Sequence, residues 1–91
     1  MSDSTVNVYV ISVAADMVGT GVQNLRAYER AGLVTPGRTA GGTRMYSGDD
    51  ITRLRRVASL LEAGLNLAGI AMVLDLEDEN SRLRTRLKRR D

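Results

Sequence analysis

The chain has 91 residues, room for one small domain with a thin core, and its 43 % hydrophobic content includes no Phe or Trp. Cys and His are both absent, which excludes disulfides, thiolate chemistry, Cys/His zinc sites and imidazole acid–base catalysis. The net charge of +2 hides an uneven spread: −2 over residues 1–25, +4 over 26–56, −5 over 57–81 and +5 over 82–91, and all the cations but Lys88 are Arg, the side chain suited to forked contact with phosphate and guanine.

Residues 1–8 read as a polar, flexible start. Tyr9-Val10-Ile11 is an apolar lead into a helix over 13–18, with Ser12 as N-cap and Gly19 as its terminator. A second helix runs from Gly21 or Val22 to about Ala31, with Gly32 as C-cap. Val22, Leu25 and Tyr28 share its apolar face, and Gln23, Asn24, Arg26 and Arg30 face outward. Ala15, Gly19, Leu25 and Tyr28 follow a helix-turn-helix pattern: a small residue for close crossing, a glycine for the turn, and two apolar residues that dock the second helix. Thr35-Pro36-Gly37 then breaks helix, and Arg38-Thr39 and Thr43-Arg44-Met45-Tyr46 flank Ala40-Gly41-Gly42 as a β-hairpin wing. Strand alternation puts Arg44 and Tyr46 on one side of that hairpin.

Ser47 is placed to cap a third helix, with Asp49 and Asp50 in its first turn. Its buried stripe is Ile51, Leu54, Val57 with Ala58, and Leu61; Arg53, Arg55 and Arg56 lie off it. Ala63-Gly64 ends this helix, and Asn66 caps a fourth whose apolar face is Leu67, Ile70, Val73 and Leu74. The final stretch lacks Gly and Pro, and Leu76, Asn80, Leu83 and Leu87 form a short heptad seam with Asn at one core-type position. The expected fold is mainly α: a winged helix-turn-helix with a small β-hairpin wing, then a helical pair and a short C-terminal dimerisation helix. The expected organisation is a flexible segment over 1–8, a DNA-binding domain over 9–74 and a dimerisation segment over 75–91.

A helix and a hairpin that both present guanidinium groups suit a groove lined with phosphates, and double-stranded DNA is the partner that fits. Arg26 is placed to reach a base edge or phosphate; its alternative is a solvated arginine or an ion pair with Glu29 or Asp16. Gln23 and Asn24 lie where side chains reach base edges, against simple solvent exposure. Arg30 joins them on the outward face. Tyr28 either packs as core or also sends its hydroxyl to a phosphate. Arg38 and Arg44 are the wing's phosphate candidates, against cross-strand stabilisation of the hairpin. Tyr46 is a DNA-contact candidate better suited to anchoring the hairpin base. Arg55 and Arg56 are weak backbone candidates, and Arg53 serves solubility. The basic cluster over 82–90 either touches DNA or, the favoured reading, balances the acids over 75–79 across a helix or a dimer seam. No cofactor, metal or catalytic residue is indicated: the carboxylates sit at caps or in the acidic run, without a matched base, nucleophile or phosphate loop. No apolar run is long enough to span a membrane, and the lack of Cys fits a cytoplasmic, nucleoid-associated protein.

Leu25-Arg26-Ala27-Tyr28-Glu29-Arg30-Ala31-Gly32-Leu33, Pro36, Gly42-Thr43-Arg44-Met45-Tyr46-Ser47 and Asp50-Ile51 together resemble the MerR family of winged helix-turn-helix transcription regulators. Val10-Ile11-Ser12-Val13-Ala14-Ala15, Arg38-Thr39-Ala40-Gly41-Gly42-Thr43-Arg44 and Gly64-Leu65-Asn66-Leu67-Ala68-Gly69-Ile70 are most similar to its HspR-type heat-shock repressors. The resemblance spans roughly residues 9–76. It implies a homodimer on an inverted-repeat operator, one helix and wing per half-site, joined through an antiparallel C-terminal helix, with a DnaK-type chaperone as co-repressor. Gly21 stands where the family often has a polar residue, and the C-terminal helix is short, with no large effector domain expected. Two other functions share these features: a DNA-architectural or excisionase-like winged-helix protein, and a protein-interaction module working through helix 67–88.

Overall fold

The computed structural model describes residues 7–90, which form β1 (Val8–Tyr9), α1 (Ile11–Val18), α2 (Val22–Arg30), β2 (Gly37–Arg38), β3 (Arg44–Ser47), α3 (Gly48–Glu62) and α4 (Leu67–Arg90). Residues 1–6 of the expected flexible segment, and Asp91, lie outside them. Val8, assigned to that segment, instead opens β1.

Small side chains let α1 approach its neighbours closely. Ala14 and Ala15 are buried, and the helix ends on Gly19, whose φ of 87° is open to glycine at little cost. The Gly19 and Thr20 amides both donate to the Ala15 carbonyl, at 2.8 and 3.0 Å, so the turn into α2 satisfies an orphan helix-end acceptor. Leu25 and Tyr28 then bury the inner face of α2, as their three-residue spacing requires. Its end differs by one residue from expectation: Ala31 is the C-cap and Gly32 follows it at φ 79°.

The sheet has three strands in the order β1-β3-β2, both pairs antiparallel. β1 is absent from the sequence reading. Val8 pairs with Ser47 and Tyr9 with Tyr46, which fixes the entry to α1. That pairing explains a second difference. With Tyr9 held in the sheet, the chain turns into helix at once, so Val10 occupies the N-cap without a side-chain bond and Ser12 lies inside the first turn. The wing has two ladder pairs, Gly37 with Met45 and Arg38 with Arg44. Beyond them the Thr39 amide donates to the Thr43 carbonyl and the Gly42 amide to the Thr39 carbonyl, both at 2.9 Å, closing the tip.

Ser47 and Asp50 form a reciprocal capping box at the start of α3. The buried stripe is Ile51, Leu54, Val57 and Leu60; Leu61, expected there, is only half-buried. The stripe turns towards Leu60 because α3 packs on α1 and β3 and then on α4. Asn66 Oδ1 accepts from the Gly69 amide at 2.8 Å, as a cap should. Ile70 and Leu74 bring α4 into the core shared with Leu25, Leu33, Val34 and Tyr46. The helix is unbroken across the expected boundary at 74/75. Residues 75–89 are exposed on every face, including Leu76, Leu83 and Leu87 at 68, 46 and 62 %. Among the described residues no helix is long and apolar enough to cross a membrane.

Candidate nucleic-acid interface

Where α2 meets the wing, the Glu29 carboxylate holds two arginines of the hairpin, and α2 itself carries two more. Arg26 and Arg30 are one turn apart on α2, Arg38 is on β2, and Arg44 is opposite it on β3. Glu29 lies four residues after Leu25, at the edge of the buried face of α2, and reaches across to the hairpin. Its Oε1 accepts from Arg44 Nε at 2.5 Å and its Oε2 from Arg38 Nη2 at 3.1 Å. One carboxylate thus fastens the helix to both strands of the wing. The hydrogen bond from Arg44 to Glu29 pushes the arginine pKa above its ordinary value, so the guanidinium stays charged.

The two wing arginines differ in what they leave free. Arg38 Nη1 donates to the Gly42 carbonyl at 3.1 Å, so both of its terminal amino groups have an internal acceptor. Arg44 uses only Nε, and its two terminal amino groups have no partner among the described residues. Arg30 is exposed and unpaired in the same sense. Arg26 makes no ion pair with Glu29 or Asp16 among the described residues, and its Nε is sealed from solvent without an acceptor.

Asn24 and Gln23 are exposed on the first turn of α2. Asn24 Nδ2 donates to Thr20 Oγ1 at 2.7 Å, which orients the amide at the helix start. Tyr28 is buried and anchors α2 in the core. Of the two roles expected for Tyr46, its 0 % exposure and its register with Tyr9 fit the anchor at the hairpin base and correct its place among the DNA-contact candidates. Its hydroxyl is buried without a partner. Burial, and secondarily the Glu29 charge, push its pKa above the usual tyrosine value.

The arginines of α3 have structural tasks. Arg53 donates Nε to the Leu33 carbonyl at 2.6 Å and pairs with Asp78 at 3.3 Å, joining the loop after α2 to α4; sequence reading had given it only solubility. Arg55 donates Nε and Nη2 to the Met17 carbonyl, a cation placed at the C-terminal end of α1. Arg56 pairs with Glu77 at 2.6 Å, and that hydrogen bond holds Glu77 below the ordinary carboxylate pKa. These internal acceptors set Arg55 and Arg56 apart from Arg30, which has none among the described residues, and from Arg44, whose internal acceptor takes only Nε. The bridging role of Glu29 went unread, although its place four residues after Leu25 marked it as facing inward.

A helix-turn-helix whose second helix is tied to a cationic hairpin defines a winged-helix regulator of the DNA-binding class. The chain belongs to the MerR HTH family of regulatory proteins, whose family profile matches residues 9–77. Among curated relatives it is similar to the heat shock protein HspR of Streptomyces coelicolor, 51 % identical over 80 residues that cover 87 % of this chain and 53 % of that protein. The chain thus spans about half the length of the curated relatives it matches. Among solved structures it is similar to the N-terminal part of MtaN, the Bacillus subtilis multidrug transporter activator. That likeness has a TM-score of 0.69 and 27 % identity, covering 91 % of this chain and 88 % of the other. It also shares its fold with HiNmlR, a MerR family regulator lacking the sensor domain and bound to promoter DNA, at a TM-score of 0.73 and 24 % identity, over 90 % of this chain and 69 % of that one.

Proposed function

We propose that this chain is a sequence-specific DNA-binding transcription regulator, a repressor of the heat-shock type, acting as a homodimer on an inverted-repeat operator. The observation that carries the reading is that Glu29 ties α2, which carries Arg26 and Arg30, to the wing, which carries Arg44. Phosphate contacts from Arg26, Arg30 and Arg44 position the protein, and Gln23 and Asn24 on the first turn of α2 read base edges. The heat-shock type is supported by the identity to the heat shock protein HspR, and the repressor role by the resemblance drawn from the sequence. A DnaK-type chaperone as protein partner follows from the resemblance alone, and co-purification with added DnaK tests it.

The exposed α4 supports the dimer. Met72, Leu76, Leu83 and Leu87 leave an apolar stripe that a lone helix has no reason to keep in water. The spacing of Leu76, Asn80, Leu83 and Leu87 reads the same in both directions, so a second, antiparallel copy sets Leu76 against Leu87 and Asn80 against Leu83. That register also brings Asp75 and Glu79 opposite Lys88 and Arg84, which accounts for the acid-then-base order of the helix.

Selection from a random duplex library tests the function. The expected product is an inverted repeat bound far more tightly than a scrambled duplex, with a steep loss of affinity as salt rises. Equal, weak binding to all duplexes would contradict the proposal.

A further inference from the structure

We infer that Glu29 is a positioning residue of the DNA interface: it sets the wing against α2, makes Arg38 a strut, and leaves Arg44 free to meet phosphate. The inference rests on the DNA-binding reading above and adds a division of labour within it.

A carboxylate in a surface meant for a polyanion is unexpected on charge alone, since it repels the ligand and cancels part of the attraction. Its geometry gives the reason. The wing has only two ladder pairs, too few to hold its own orientation against a helix. Glu29 spans that gap with both oxygens, one to each strand. From Arg38 the connection continues to the Gly42 carbonyl at the wing tip, where φ is 88°. Helix, strand and tip are therefore linked through a single guanidinium whose terminal amino groups each donate to an acceptor within the chain. Arg44 is gripped side-on at Nε, which fixes the direction of the group while leaving its terminal fork for a phosphate. Glu29 is half-buried, at 21 % exposure, so the bridge is better shielded than a surface pair.

Charge and positioning predict opposite results, which makes the test decisive. The probes are the duplex that the wild-type protein enriches from a random library and a scrambled duplex of the same composition. Under the positioning account, Glu29→Gln cuts the ratio of selected to scrambled affinity by at least about tenfold, while binding to the scrambled duplex holds or rises because a repelling charge has gone. Glu29→Asp, which keeps the charge but is one methylene short of bridging both strands, must lose specificity as well. A charge effect alone would raise both affinities together and leave Glu29→Asp like the wild type; that result would overturn the inference. Arg38→Met gives an independent reading should Glu29→Gln fail to fold. As a strut, Arg38 must lower affinity for the selected duplex without changing the salt slope, whereas a slope reduced by about one unit per protomer would make it a phosphate contact and defeat the assignment. Failure of the wild type to enrich any duplex would sink the DNA-binding reading and this inference with it. Enrichment with an unchanged ratio in Glu29→Gln would sink the inference alone.

Discussion

Arg44→Ala is the substitution whose effect the structure sizes most directly. Each protomer offers Arg26, Arg30 and Arg44 on the α2–wing surface without an internal partner for their terminal amino groups among the described residues. If each neutralises one phosphate, a dimer covers about six, and the logarithm of the binding constant should fall with the logarithm of salt concentration at a slope of about −5. Arg44→Ala removes two of those contacts and brings the slope to between about −3 and −4. Between 50 and 200 mM salt the wild type should then lose affinity by about 10³-fold and the variant by about 10²-fold. Fluorescence anisotropy with a labelled, selected duplex over that range reads both lines. Because phosphate contacts carry no base information, the loss at low salt should be alike for the selected and the mismatched duplexes. An unchanged slope would remove Arg44 from the interface, and a loss confined to one base position would make it a base reader.

Tyr46→Phe deletes a buried hydroxyl that has no partner, so urea unfolding should show no loss, or a gain of up to about 1 kcal/mol; destabilisation beyond about 1 kcal/mol would show that the hydroxyl is satisfied in solution. Leu76→Asp with Leu87→Asp puts carboxylates in the α4 stripe and should shift sedimentation to the monomer while the helix-turn-helix core keeps its fold; a persisting dimer would move the seam elsewhere. The hydrogen bond from Arg56 holds the Glu77 pKa below its unfolded value, so the stabilisation is complete above the unfolded carboxylate pKa of about 4.3 and is lost as pH falls through the folded value. Glu77→Gln should therefore flatten the melting-temperature curve below about pH 4.5 and leave the melting temperature less dependent on acid; a curve identical to the wild type would contradict the pairing. Arg56→Ala should leave the salt slope of DNA binding unchanged, since its guanidinium is turned to Glu77.

The helices were legible because their signals are local. Gly19 and Gly64 stop helices through a backbone angle that glycine tolerates, and Ser47 with Asp50 caps α3 through bonds spanning three residues. The pattern of Ala15, Gly19, Leu25 and Tyr28 likewise gave the helix-turn-helix from spacing alone. What escaped depends on residues far apart in the chain. β1 is two residues long and exists only because Tyr9 meets Tyr46, so no run of alternating residues announced it. Ser12 has the chemistry of a cap but was displaced by that pairing. Leu60 and Leu61 were indistinguishable until the neighbours of α3 chose between them. In the candidate site, residue type singled out the arginines as a group but could not say which of them are engaged within the chain. Which of their donors are taken up within the chain depended on acceptors 15 to 38 positions away: Glu29 for Arg44 Nε, Glu77 for Arg56 and the Met17 carbonyl for Arg55. Sequence distance of that kind carries no pattern that spacing can reveal.

Arginine side-chain NMR, following the Nε–Hε resonances of the protein as a selected duplex is added, tests the proposed surface most directly. The account predicts shifts for Arg26, Arg30 and Arg44 together, at one stoichiometry, with Arg55 and Arg56 unmoved. Shifts confined to Arg82, Arg84, Arg86 and Arg89 would place the duplex on the far end of α4 and contradict a DNA surface built from α2 and the wing.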